Sequence, residues 1–283
     1  MTTTTTDPES LRAAERRADP RGASLPGEVV DCGRWLAQQP VPRCPGIEVL
    51  EHAMLEQAGA GIRIALLDAP ADLSHPDLRG AAITRWPGVS GLSLREPTAH
   101  GTASASLLVG QGVAQVRGVA PAAELLLAPV LRTDGTVYDE LVARALAWAV
   151  SQGADVVVLP FGRRRLGRRV ATRVRVAVVM GVRVVAAAGS LGPDLMTFPG
   201  SVSGVLAVTG HDGNGRCPEC SARADLAAPG LDVPAAGPYG LVRMQGSAPA
   251  AVLAAGSLAV RLSAGVETGD RRGEAGQRDV LGG

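Results

Sequence analysis

The stretch "YDELVARALAWAVSQGADVVVLPF" (138–161) holds two periodicities back to back. Over 138–153 the apolar residues recur three and four apart, and the run stops at Gly153. That is the pattern of an amphipathic helix ending on a glycine cap. Over 154–161 the spacing collapses into one short apolar, β-branched run, as a strand buried on both faces requires. The same unit repeats outward. "IRIALLDA" (62–69) and "ELLLAPVL" (124–131) read as buried strands upstream. "RRVATRVRVAVVMG" (168–181) reads as a basic-faced helix downstream, and "VRVVAAAG" (182–189) as the next strand. This alternation predicts an α/β fold of three layers, a central and mainly parallel sheet flanked by helices, in one domain rather than two.

The composition fits such a globule. A net charge of +1 on 283 residues with 46% hydrophobic content argues against a disordered chain and gives no electrostatic reason for nonspecific nucleic-acid binding. All 28 basic residues are arginine, a mark of high-GC, bacterial coding. The N-terminus carries no apolar signal segment, and the most apolar run (248–260) is too short to span a bilayer. A cytoplasmic protein without membrane contact is therefore expected. Residues 1–45 read as a partly disordered extension, 46–265 as the folded domain and 266–283 as a disordered tail. In a reducing compartment Cys32, Cys44, Cys217 and Cys220 are expected as thiols or ligands. "CPEC" (217–220) is a weak zinc signal, because structural zinc needs four ligands. Cys32 and Cys44 would complete a set only if the extension folds back, so the default is no cofactor.

Chemistry in parallel sheets gathers at the carboxyl ends of strands, where Asp68 lies. Alone it reads as a turn aspartate. Its context is more specific: "LLDAPADLSHPDLRG" (66–80), then "AHGTASASLLVG" (99–110), then "VRGVAPAAELLLAPVL" (116–131). Further blocks follow in order, "GADVVVLPFG" (153–162), "VVAAAGSLGPDLMTFPGSVSGVLAVTGHDGNG" (184–215) and "DLAAPGLDV" (225–233). Together they resemble the subtilase, or subtilisin-like serine peptidase, family over roughly residues 46–264. The resemblance implies a subtilisin-like fold with Asp68 as the buried carboxylate and His100 as the general base it orients. It leaves His75 structural, in the "HPDL" loop. Subtilases often bind calcium at loop sites, and no such site can be placed from this sequence.

The resemblance also exposes departures. Against a family motif close to "GTSMAAPHVAG", this chain reads "GSAPAAVLAAG" (246–256), so Ala248 stands at the nucleophile position. Ser190 stands where the family's oxyanion asparagine follows "AAAG". In a family member, loss of the nucleophile costs about 10⁶ in turnover and loss of the oxyanion donor about 10² to 10³. Ser247, one residue early, is the alternative nucleophile; one helical step rotates a side chain by about 100°. The expectation is a catalytically impaired homologue that binds a peptide or protein partner in peptide maturation. The alternative is an active serine endopeptidase using Asp68, His100 and a displaced Ser247. The matching peptide-binding edge is Pro160, Phe161 and Gly162, where a peptide adds as a strand. Immediately after it, "GRRRLGRRVATRVR" (162–175) packs seven arginines, either a solvated face or a preference for an acidic partner. With aromatics at 2% and none in this run, nucleic acid is disfavoured.

Overall fold

A computed structural model of the chain describes residues 30–38, 48–49, 57–88, 94, 96–132, 134–165, 167–192, 194–212, 214–217, 222 and 224–265. The chain opens with β1 (Val30–Asp31), α1 (Cys32–Ala37), β2 (Glu48–Val49), β3 (Arg63–Asp68) and β4 (Ile83–Arg85). Next come α2 (Ala99–Val109), β5 (Val116–Arg117), β6 (Glu124–Pro129), α3 (Asp139–Ser151) and β7 (Val156–Leu159). They are followed by α4 (Arg168–Val179), β8 (Arg183–Ala187), β9 (Leu206–His211) and β10 (Leu226–Pro229). The hairpin β11 (Val233–Gly237) and β12 (Gly240–Met244) leads into α5 (Ser247–Ser263).

Eight strands form one sheet in the order β2-β10-β9-β8-β7-β3-β6-β4, with every registered pair parallel. Successive strand residues feed opposite cores. On β3, Ile64 and Leu66 face one apolar cluster and Ala65 and Leu67 the other; on β7, Val156 and Val158 oppose Val157 and Leu159. A strand buried on both faces must be apolar at every position, which is why these runs show no alternation. Helices α2 and α5 cover the first face, α3 and α4 the second. The predicted three-layer architecture is what the chain adopts. α5 is buried continuously from Pro249 to Val260, as its all-round apolar sequence demands.

α5 starts at Ser247, one residue before the most apolar run of the sequence, 248–260. Part of the extension packs on the domain: β1 pairs in parallel with β5, and Asp31 caps α1 by accepting from the Arg34 N–H. Asp77, wholly buried, accepts backbone N–H bonds from Ala114, Gln115 and Val116 and so closes the loop before β5. The 266–283 tail, with Cys44 and Cys220, lies outside the described residues. Among the described residues no helix is long and apolar enough to cross a membrane.

The sheet order places the chemistry. β3 is flanked by β6 on one side and β7 on the other, and the chain fills outward in both directions from it. Such a switch point opens a crevice at the strand's carboxyl end. Asp68 is the last residue of β3.

Candidate active site

Asp68 is fully buried, and its Oδ1 accepts from the Ala69 N–H at 2.6 Å. The same oxygen lies 2.9 Å from His100 Nδ1. An ionised carboxylate there puts the proton on Nδ1 and leaves Nε2 as the basic nitrogen. Asp68 Oδ2 is buried with no hydrogen-bond partner among the described residues. The carboxylate is therefore answered chiefly by the imidazole and one N–H. The His100 side chain keeps 19% of its surface exposed, so the pair is a buried acid behind an accessible base.

The local sequence explains how the two meet across 32 residues. Thr98 caps α2, its hydroxyl accepting the Gly101 N–H at 2.9 Å. A Cβ at Gly101 would land on the carbonyl oxygens of Ala69 and Pro70. Only glycine lets the start of α2 press against the backbone leaving β3, and that contact carries His100 to Asp68. Thr102 completes the clamp. Its hydroxyl accepts from the Asp72 N–H at 3.0 Å and donates to the Thr98 carbonyl at 2.8 Å. Each residue of "HGT" thus has a physical task.

The remaining candidate residues lie at the α5 start and on the loop after β8. The Gly189 N–H donates to Ser247 Oγ at 3.2 Å. Ser190, beside it, is exposed; Ala248, second in α5, is half-buried and ends in a methyl group. The serines at 190 and 247, far apart in sequence, thus sit on segments that touch. β7 lies inside the sheet, and Pro160 and Phe161 beyond it are buried. Arg163 exchanges backbone hydrogen bonds with Phe198, and the Thr197 side chain fills the space where Gly162 and Gly189 would carry a Cβ. Nothing in the sequence singled out Thr197.

A family profile described as the Subtilase family matches residues 59–268. The chain belongs to the subtilase family. Among curated relatives, Subtilisin BL of Lederbergia lenta is 34% identical over 181 residues, covering 62% of this chain and 66% of its own. Thermitase of Thermoactinomyces vulgaris is 32% identical over 178 residues, covering 61% and 64%. The matches thus span slightly less than two thirds of these relatives' length. Two solved structures resemble this subtilase domain throughout. The prenylagaramide maturation protease PagA superposes with a TM-score of 0.64 at 28% identity, over 72% of this chain and 77% of that one. The patellamide maturation protease PatA gives 0.64 at 29%, over 73% and 81%.

Of the two described cysteines, Cys32 is a thiol as expected and Cys217 is not. Cys217 is disulfide-bonded, so its sulfur is not a thiolate ligand. Cys32 is a buried free thiol whose pKa is pushed up to about 12 by burial, with Asp31 and Asp77 adding to it. A thiol held neutral this firmly does not ligate zinc. Among the described residues, no three of His, Cys, Asp and Glu converge as a cation site. The buried carboxylate of Asp77 is engaged by three backbone N–H donors.

Proposed function

We propose that this chain is a catalytically impaired subtilase homologue that binds a peptide or protein partner, in the setting of peptide maturation. The observation that carries the reading is Ala248. A methyl group cannot form the acyl intermediate, and an intact Asp–His pair without a nucleophile has nothing to deprotonate in that step. The structural neighbours named as maturation proteases supply the setting. A cytoplasmic site of action belongs to the same proposal. The disulfide at Cys217 weighs against it, because reducing compartments keep thiols reduced.

A second reading has one observation in its favour. Ser247 stands at the first position of α5 with a half-buried side chain beside the Gly189 N–H, a donor suited to a developing oxyanion. An endopeptidase using Asp68, His100 and Ser247 would follow from it. Intact mass after fluorophosphonate treatment separates the two. No adduct, under conditions that label an active subtilase, is the expected result. A single adduct that disappears in Ser247→Ala would establish the endopeptidase instead.

A further inference from the structure

The arginine run resolves into two parts. Arg163 is nearly buried and donates to the Val137 carbonyl at 3.0 Å, so it serves the fold. The remainder lies on the solvent face of α4. Arg168, Arg169, Arg173 and Arg175 are all exposed, on adjacent stripes of residues three and four apart. Among the described residues two carboxylates of α3 meet this group: Asp139 accepts from the Gly167 N–H just before α4, and Glu140 holds Arg169 at 3.0 Å and Arg144 at 2.7 Å. Hydrogen bonds from Arg144 and then Arg169 hold the Glu140 carboxyl below the usual range. Among the described residues, no ion pair engages Arg168, Arg173 or Arg175.

Folding does not call for this arrangement. The first turn of α4 contains no acidic residue and no side-chain cap, and it begins Arg168-Arg169. Cations at a helix N-terminus oppose the macrodipole. The chain tolerates them where a neutral residue would be better for the helix.

The same stripes change character toward the C-terminus. Val176 is 41% exposed, Val179 84% and Met180 66%, three of the seven exposed large apolar side chains among the described residues. Met180 then borders a hollow of about 470 Å³, with Val150, Val182 and Leu262 on its apolar wall. One face of one helix thus runs from unanswered positive charge to exposed apolar surface and into a concavity.

We infer that this face of α4 docks a polypeptide segment of a partner with acidic residues at one end and an apolar anchor at the other. The inference deepens the peptide-binding reading and rests on it for the nature of the partner. The apolar half decides between polyanions: a nucleic-acid backbone uses the arginines but finds nothing to pack on Val179 and Met180. From Arg175, the last arginine of the group, to Val179 the helix rises about 6 Å. An extended peptide crosses that distance in about two residues, which sets the spacing between acidic cluster and anchor.

The test is fluorescence anisotropy of a labelled peptide bearing four glutamates, a spacer of about two Gly/Ser residues and two leucines, titrated with the whole chain. Saturable binding is expected, weakening about tenfold or more in Arg168→Glu/Arg173→Glu and on raising salt from about 50 to about 500 mM. Val179→Ser/Met180→Ser is expected to weaken it as well. All four positions are exposed, and thermal melts check that the variants stay folded. Absence of saturable binding, indifference to the charge reversals, or tighter binding of an equally charged oligonucleotide would each overturn the inference. His100→Ala is run in parallel. Unchanged peptide affinity there keeps this surface distinct from the crevice, so the fluorophosphonate result and this one can fail separately.

Discussion

The two walls differ in how firmly packing holds them. The β3–α2 wall carries Asp68 and His100 and the α5–β8 wall carries Ser190, Ser247 and Ala248; on the impaired-homologue reading proposed above, the first keeps the family's residues and the second has lost them. Burial explains the contrast. Asp68 is fully enclosed, Gly101 is the only residue that fits against the Ala69 and Pro70 carbonyls, and Thr102 ties the two segments together. Replacing any of them disturbs packing whether or not the protein catalyses anything. Ser190 is exposed and Ala248 half-buried, so a change of side chain there leaves the fold nearly indifferent. Retention of an Asp–His pair is therefore weak evidence of activity. Its residues also hold the sheet to the helix.

The comparison can be broken most forcefully by repair. If the β3–α2 wall has kept its catalytic alignment, Ser190→Asn with Ala248→Ser should create fluorophosphonate labelling and measurable peptide hydrolysis. Ala248→Ser alone should trail the double variant by about 10² to 10³ in turnover. A double variant that stays unlabelled would mean the retained wall keeps its shape but not its register. Next in size, Gly101→Ala should lower stability by about 3 kcal/mol through backbone overpacking, read as a shift in urea midpoint. His100→Ala should cost about 2 kcal/mol, since it strips a hydrogen bond from the buried Asp68 carboxylate. Ala248→Ser, at the other wall, should stay within about 0.5 kcal/mol. Equal costs for these last two would erase the contrast.

The smallest effect lies at the end of β9. Burial holds the His211 imidazole below its ordinary value of 6.5, against a hydrogen bond from its Nδ1 to the Asp212 carbonyl and that residue's charge. The unfolded chain therefore binds the proton first as pH falls. The His211 contribution is complete above about 6.5 and is lost as pH drops through the folded value. Urea midpoints measured from pH 7.5 down to about 5 should decline less in His211→Gln than in the parent chain.

The layer architecture was readable because β3, β6, β7 and β8 are buried on both faces, and continuous apolar runs say so directly. The pairing of Asp68 with His100 was legible only through the resemblance to subtilases; the backbone tasks of Gly101 and Thr102 explain why the motif that carries it has a fixed spacing. The β11–β12 hairpin was not: "VPAAG" (233–237) contains no β-branched residue after Val233, and its pairing supplies what propensity does not. The Ser247–Gly189 contact joins residues 58 apart through tertiary packing, which no local period encodes. Arg163 belonged by sequence to a charged surface run, yet its backbone bridge to Phe198 turns it inward. Cys217 shows the same limit, since its place in the sequence does not say whether its sulfur is a free thiol, a ligand or disulfide-bonded.

The position of α5 has a consequence for how the chain is made. It is the last described element, yet it packs against β3, β7, β8, β9 and β10 and supplies the centre of one apolar layer. During synthesis, five parallel strands leave the ribosome before the helix that covers them exists. Until residue 260 follows, one face of the sheet is oily and open, and parallel pairings of this span are slow to form. A nascent chain halted before Ser247 should be a client for holding chaperones, while one halted after Ser263 should not.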